Sequence, residues 1–168
     1  MMLYTPDDYT IHDVLRIPPL LVIVSLFLIK YAFILVLIPI FAHFPLLSES
    51  FKLILPFVTS FAEQYTNLLY LFIMLPAAFV LASMSRRVPK TKSVFLRKCW
   101  KNGKKLLFIT LITELIFTTL SLLLGWQQLN EVTLLLIYGN ILCGLYLFKS
   151  KHTVDAFAEF PEYDKYAK

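Results

Sequence analysis

Apolar residues in this chain gather in long unbroken runs, not in the one-sided stripes of a soluble helix. Four runs, Pro19 to Ala42, Asn67 to Met84, Leu106 to Trp126 and Val132 to Phe148, approach or exceed the length a helix needs to cross hydrocarbon. That length is about 20 residues at 1.5 Å of rise each. The pattern predicts an all-α polytopic membrane protein, with four antiparallel transmembrane helices in a single domain. Gln127 to Glu131 leaves room only for a tight turn, so the third and fourth spans are expected to be antiparallel neighbours.

The segment between the first two spans is apolar but broken by Pro45, Glu49, Lys52, Pro56 and Glu63. Phe51, Leu55, Val58, Phe61 and Ala62 approximate a helical stripe, which predicts a short interfacial helix bent at Pro56. The rival reading is a re-entrant hairpin, which needs protein around it. The first span is too long for the apolar region of a signal peptide, about 7 to 15 residues, and no small-residue cleavage pattern follows it, so it is expected to stay attached.

Composition agrees with this pattern. The chain has 168 residues, of which 58% are hydrophobic and 16% charged, too apolar for an ordinary soluble domain. Charge then gives direction. Arg86 to Lys105 holds nine cationic residues and no acidic one: Arg86, Arg87, Lys90, Lys92, Arg97, Lys98, Lys101, Lys104 and Lys105. Alone, such density suits phosphate binding and raises nucleic acid as a partner. Lying between two spans, it serves instead to orient the chain, because short cytoplasmic loops collect Lys and Arg. With both termini inside, Arg16, the nine loop residues, Lys149, Lys151, Lys165 and Lys168 share one side, and only Lys52 lies on the other. The loop 85–105 and the tails 1–18 and 149–168 are therefore read as cytoplasmic, with the loop cations against anionic headgroups or a partner and no nucleic acid bound.

Ionisable groups inside lipid are costly, roughly 2.5 to 3.5 kcal/mol for Lys or Asp at a helix centre on insertion scales. Lys30 and Glu114 are such groups. Their expected depths are about 17 Å and 12 Å at 1.5 Å per residue, a gap a lysine stem covers. They are read as an intramembrane ion pair, either a structural lock or a relay made and broken in a cycle. Around Glu114, Thr110, Thr113, Thr118 and Ser121 form a polar stripe that suits hydrogen bonding across helices. Ala78 with Ala82, Gly139 with Cys143, and Asn140 with Gly144 stand at close-packing spacing and are expected at helix contacts.

No arrangement of residues points to catalysis, and neither a metal nor a cofactor is expected. His12, His43 and His152 fall on separate segments, and the hydrolase, metalloprotease and nucleotide-binding motifs are missing. Asp7, Asp8, His12 and Asp13 suggest a metal cluster only at first sight, because Asp7 and Asp8 follow Pro6 as turn or cap residues do and no further ligands stand at telling spacing. Cys99 in the loop and Cys143 in the fourth span are expected at different levels, without a disulfide. The tail alternates acidic and aromatic residues, Asp155, Phe157, Glu159, Phe160, Glu162, Tyr163, Asp164 and Tyr166. It is read as lying on the basic loop or the headgroups, or as a disordered end.

Tyr4 to Tyr9 (YTPDDY), Leu15 to Pro19 (LRIPP) leading into a span with Lys30, and Phe157 to Glu162 (FAEFPE) resemble the YfeZ-like inner-membrane proteins, a bacterial family of unknown function. The resemblance implies a bacterial inner-membrane protein and supplies no activity. The functional expectation is a non-enzymatic accessory or scaffold-like subunit that binds lipid headgroups or another membrane protein through its basic cytoplasmic face, with a homo-oligomer as a further candidate partner. The alternative is a small transporter or channel component using Lys30 and Glu114, and a lipid-modifying enzyme ranks third.

Overall fold

The computed structural model describes residues 4–12, 14–33, 68–88 and 91–161. Within them the chain is helical, with an isolated bridge between Tyr9 and Leu15 and no strand. A single 3-10 turn, Pro6–Asp8, opens the N-terminal segment, and α1 follows over Pro19–Leu28. Pro18 and Pro19 suit this start, where a missing donor costs little. After a turn at Ile29 the helical path resumes over residues 30–33. α2 is Leu68–Ser85, with Pro76 inside it, and α3 is Val94–Lys101. α4 is Gly103–Leu123, α5 is Glu131–Lys149 and α6 is Lys151–Ala158.

Two of these helices, α4 and α5, are long and apolar enough to cross a membrane, not the four that the apolar runs suggest. Of the expected 19–42, α1 covers ten residues up to the turn at Ile29 and the helical path resumes over 30–33, while residues 34–42 lie outside the described part. α2 falls just short by the same measure. The expected interfacial helix around Phe51 to Ala62, with His43 and Lys52, also lies outside the described residues.

Local chemistry explains the ends. Gly125 takes φ 71°, the left-handed conformation that stops α4, and the Trp126 and Gln127 amides donate to the Ser121 carbonyl. The Asn130 side chain accepts from the Thr133 amide to start α5, and Ser93 and Ser150 cap α3 and α6 in the same way. α4 begins three residues before the expected Leu106, because Lys104 and Lys105 are good helix formers that continue it into the basic segment.

Packing follows one buried stripe per helix. Leu21, Val24 and Leu28 of α1, Ala77 and Val80 of α2, Leu107 and Leu111 of α4 and Leu147 of α5 share a core with Trp100 and Phe157. A smaller cluster joins Tyr31, Tyr70 and Leu136. α1 starts, α2 ends, α4 starts and α5 ends at one end of this bundle, where the N-terminal segment, α3 and α6 form a cap. The α4–α5 turn lies at the other end.

Candidate functional site

Two constellations hold the chemistry-bearing residues. The first surrounds Glu114, which α4 places on its buried side at 1% exposure. Its Oε1 accepts from Lys30 Nζ at 2.5 Å, from the Tyr31 hydroxyl at 2.8 Å and from Asn140 Nδ2 at 2.9 Å. Lys30 and Glu114 are thereby brought together as an ion pair. The ammonium also lies 4.3 Å from the Phe27 ring centre and 4.6 Å from that of Tyr31, so two aromatic faces share its charge.

A second set of polar groups continues from there. Tyr31 stacks on Tyr70 at 4.5 Å between ring centres, and the Tyr70 hydroxyl accepts from Gln127 Nε2 at 2.6 Å. Tyr70, Gln127, Thr118, Ser121 and Thr133 are all buried between Glu114 and the α4–α5 turn. Sequence reasoning missed Tyr31, Tyr70 and Gln127. It placed Asn140 on a packing face, where hydrogen bonding to a carboxylate is its further role.

The second constellation is the cap. Arg87 is 8% exposed and donates to the Leu15 carbonyl at 2.6 Å, to the Ala156 carbonyl at 3.3 Å and to the Glu159 carbonyl at 3.1 Å. Its guanidinium lies 4.7 Å from the Trp100 ring centre. The Trp100 indole donates to the same two tail carbonyls, at 3.0 Å and 2.8 Å. Phe157 packs 4.7 Å from Trp100, and the Glu159 carboxylate accepts from the Leu15 amide at 2.6 Å. At the rim the Tyr4 hydroxyl donates to Asp155 at 2.5 Å.

Electrostatics in the cap follow from these contacts. Burial pulls the Arg87 guanidinium down to about 10, against the opposing charge of Glu159. The hydrogen bond to Asp155, then burial, push Tyr4 up to about 12. Burial raises the Cys99 thiol above its ordinary value, and Cys99 and Cys143 are both free thiols.

Arg87 is therefore turned into the cap rather than outward, its two terminal nitrogens donating to backbone carbonyls and its Nε buried without a hydrogen-bond partner. Of the other loop cations, Arg86, Lys92, Lys98, Lys101 and Lys105 are exposed, whereas Arg97 and Lys104 are half-buried. Arg97 donates to the Thr91 carbonyl at 3.1 Å and lies 5.1 Å from the Phe160 ring centre. Lys90 lies outside the described residues. Val94, Phe95, Lys98, Lys101 and Lys105 recur at one-face spacing, so the exposed stripe from α3 into the first turn of α4 is apolar first and cationic after. Phe95 meets Phe79 of α2 edge-to-face at 5.3 Å, which joins the stripe to the exposed side of α2.

The small-residue faces divide. Gly139 and Cys143 turn toward α1, where a Cβ on Gly139 would stand 2.6 Å from the Phe27 ring, while Gly144 approaches Leu111 of α4. Ala78 packs partly against the core, but Ala82 is exposed, so the pair does not make a contact face; Ala77 and Val80 do. Thr113 likewise points outward. Thr110 bonds its own helix at the Leu106 carbonyl rather than a neighbouring helix.

A family model described as a protein of unknown function, DUF2919, matches residues 4–159. No curated protein and no solved structure matches the chain.

Proposed function

The chain belongs to the DUF2919 family of unknown function, and from that premise we propose that it is a multi-pass protein of a bacterial inner membrane, of the YfeZ-like kind, acting as a non-enzymatic accessory subunit. It crosses the bilayer four times with both termini cytoplasmic, and its cap binds anionic headgroups. The observation that carries this reading is the stripe of Val94, Phe95, Lys98, Lys101 and Lys105, which sets apolar side chains beside cations as a headgroup boundary requires.

The cap also supports four crossings. Its three pieces come from before α1, between α2 and α4, and after α5, yet they touch one another through Leu15, Arg87 and Glu159. Segments in contact share one side of a membrane. The chain must then cross an even number of times between Leu15 and Arg87, and again between Arg87 and Glu159.

Anionic lipid retention tests the reading. Protein released from nanodiscs of mixed phosphatidylglycerol and phosphatidylcholine is expected to carry phosphatidylglycerol preferentially in native mass spectrometry. Replacing Lys98, Lys101 and Lys105 together by Gln should remove the preference. An unchanged preference in that variant contradicts the assignment of the stripe. A partner protein retained through the same lysines would extend the accessory reading.

A further inference from the structure

We infer that Glu114 is a proton-accepting site, at which a proton on Oε2 is shared with Asn140 Oδ1 while Lys30 keeps its hydrogen bond to Oε1. All three donors around Glu114 converge on Oε1. Oε2 is buried without a hydrogen-bond partner, and so is Oδ1 of Asn140, the residue whose Nδ2 already donates to Oε1. Both atoms are acceptors. A carboxylate that served only to lock Lys30 would be expected to engage both oxygens, since an unmet buried acceptor is costly.

One hydrogen placed on Oε2 answers both atoms. Glu114 would donate through Oε2 to Asn140 Oδ1 while Asn140 Nδ2 donates to Oε1, closing the reciprocal pair that an acid and an amide form. The balance is simple. Glu114 carboxylate and one proton from bulk water give the neutral acid, and no other bond is made or broken. Lys30 Nζ goes on donating to Oε1 and stays over the Phe27 and Tyr31 rings.

The groups facing Glu114 are Lys30 and Tyr31 from the helical stretch just after α1, Tyr70 of α2 behind Tyr31, and Asn140 and Cys143 from α5. α6 meets α4 at Gly103, about three turns away. On the other side Thr118, Ser121, Tyr70 and Gln127 are buried polar residues toward the α4–α5 turn, with Gln127 donating to the Tyr70 hydroxyl. The inference goes beyond headgroup binding and uses none of its residues. It needs only that the bundle be folded in lipid.

Infrared spectroscopy of the protein in lipid, titrated over the pH range in which it stays folded, reads the acid directly. The expected result is a carboxylic-acid carbonyl band that grows on acidification, shifts in heavy water and is lost in Glu114→Gln. That variant keeps the hydrogen bonding to Asn140, because its amide group mimics the protonated acid there. Glu114→Asp provides a second assignment by displacing the band. Absence of any band sensitive to Glu114 across that range, in a folded protein, overturns the inference and leaves a permanently ionised lock. The lipid readout is separate, so either idea can fail alone.

Discussion

Arg87 and Trp100 donate to the same two carbonyls, those of Ala156 and Glu159, while the guanidinium lies 4.7 Å from the indole ring centre. Two side chains from the basic segment thus hold the tail by its backbone. Over residues 151–161 the tail is held by hydrogen bonds and ring packing, where alternating acidic residues alone suggested opposite charge.

Replacing Arg87 by Lys keeps the charge but loses the planar fork that reaches three carbonyls. Unfolding in detergent should show a loss of about 2 to 3 kcal/mol. Limited proteolysis should cut near Asp155 sooner than in the wild type, while α4 and α5 stay intact.

Gly103 sits against the Phe157 ring, and a Cβ there would overlap it. Gly103→Ala is therefore expected to cost about 1 to 3 kcal/mol through overpacking. Phe157→Leu should recover part of that loss when combined with it, as read by thermal unfolding of the two single variants and the double.

The cap has a pH signature at Tyr4. Its folded-state value of about 12, against 10.0 ordinarily, means that the folded chain holds the proton more tightly than the unfolded chain. The contribution is whole below pH 10 and is lost as pH rises toward 12. The difference in tyrosinate absorbance between wild type and Tyr4→Phe should titrate near 12, and lower, toward the ordinary value, when both carry Asp155→Ala.

Lys30 and Glu114 should be strongly coupled. Lys30→Leu and Glu114→Leu each leave a partner group behind, so the double variant is expected to be more stable than the summed losses imply, by about 1 to 3 kcal/mol. Additive losses would separate the two residues energetically.

Much of this was legible in sequence where one physical effect dominates. Unbroken apolar runs gave α4 and α5 within a few residues, and the rarity of charge in lipid singled out Lys30 and Glu114. The cap was hidden by its own cations: nine Lys and Arg residues read as a cytoplasmic loop against headgroups, yet Cys99 and Trp100 form the buried side of a short helix among them. An indole amid lysines was the available signal. Tyr31 and Tyr70 read as apolar aromatics because nothing in spacing tells which hydroxyl will meet a carboxylate or an amide. Arg87 could not be told from Arg86 without the tail that returns to cover it.

The central claim is that the N-terminal segment, the basic segment and the tail share the cytoplasmic side, with the α4–α5 turn opposite. Side-specific thiol labelling of single cysteines at Thr5, Lys101, Lys151 and Leu129, with Cys99 and Cys143 replaced by Ser, measures it directly. The first three should label only from the cytoplasm and Leu129→Cys only from the periplasm. Labelling of Lys101→Cys from the periplasm, or of Lys101→Cys and Lys151→Cys from opposite sides, would contradict it.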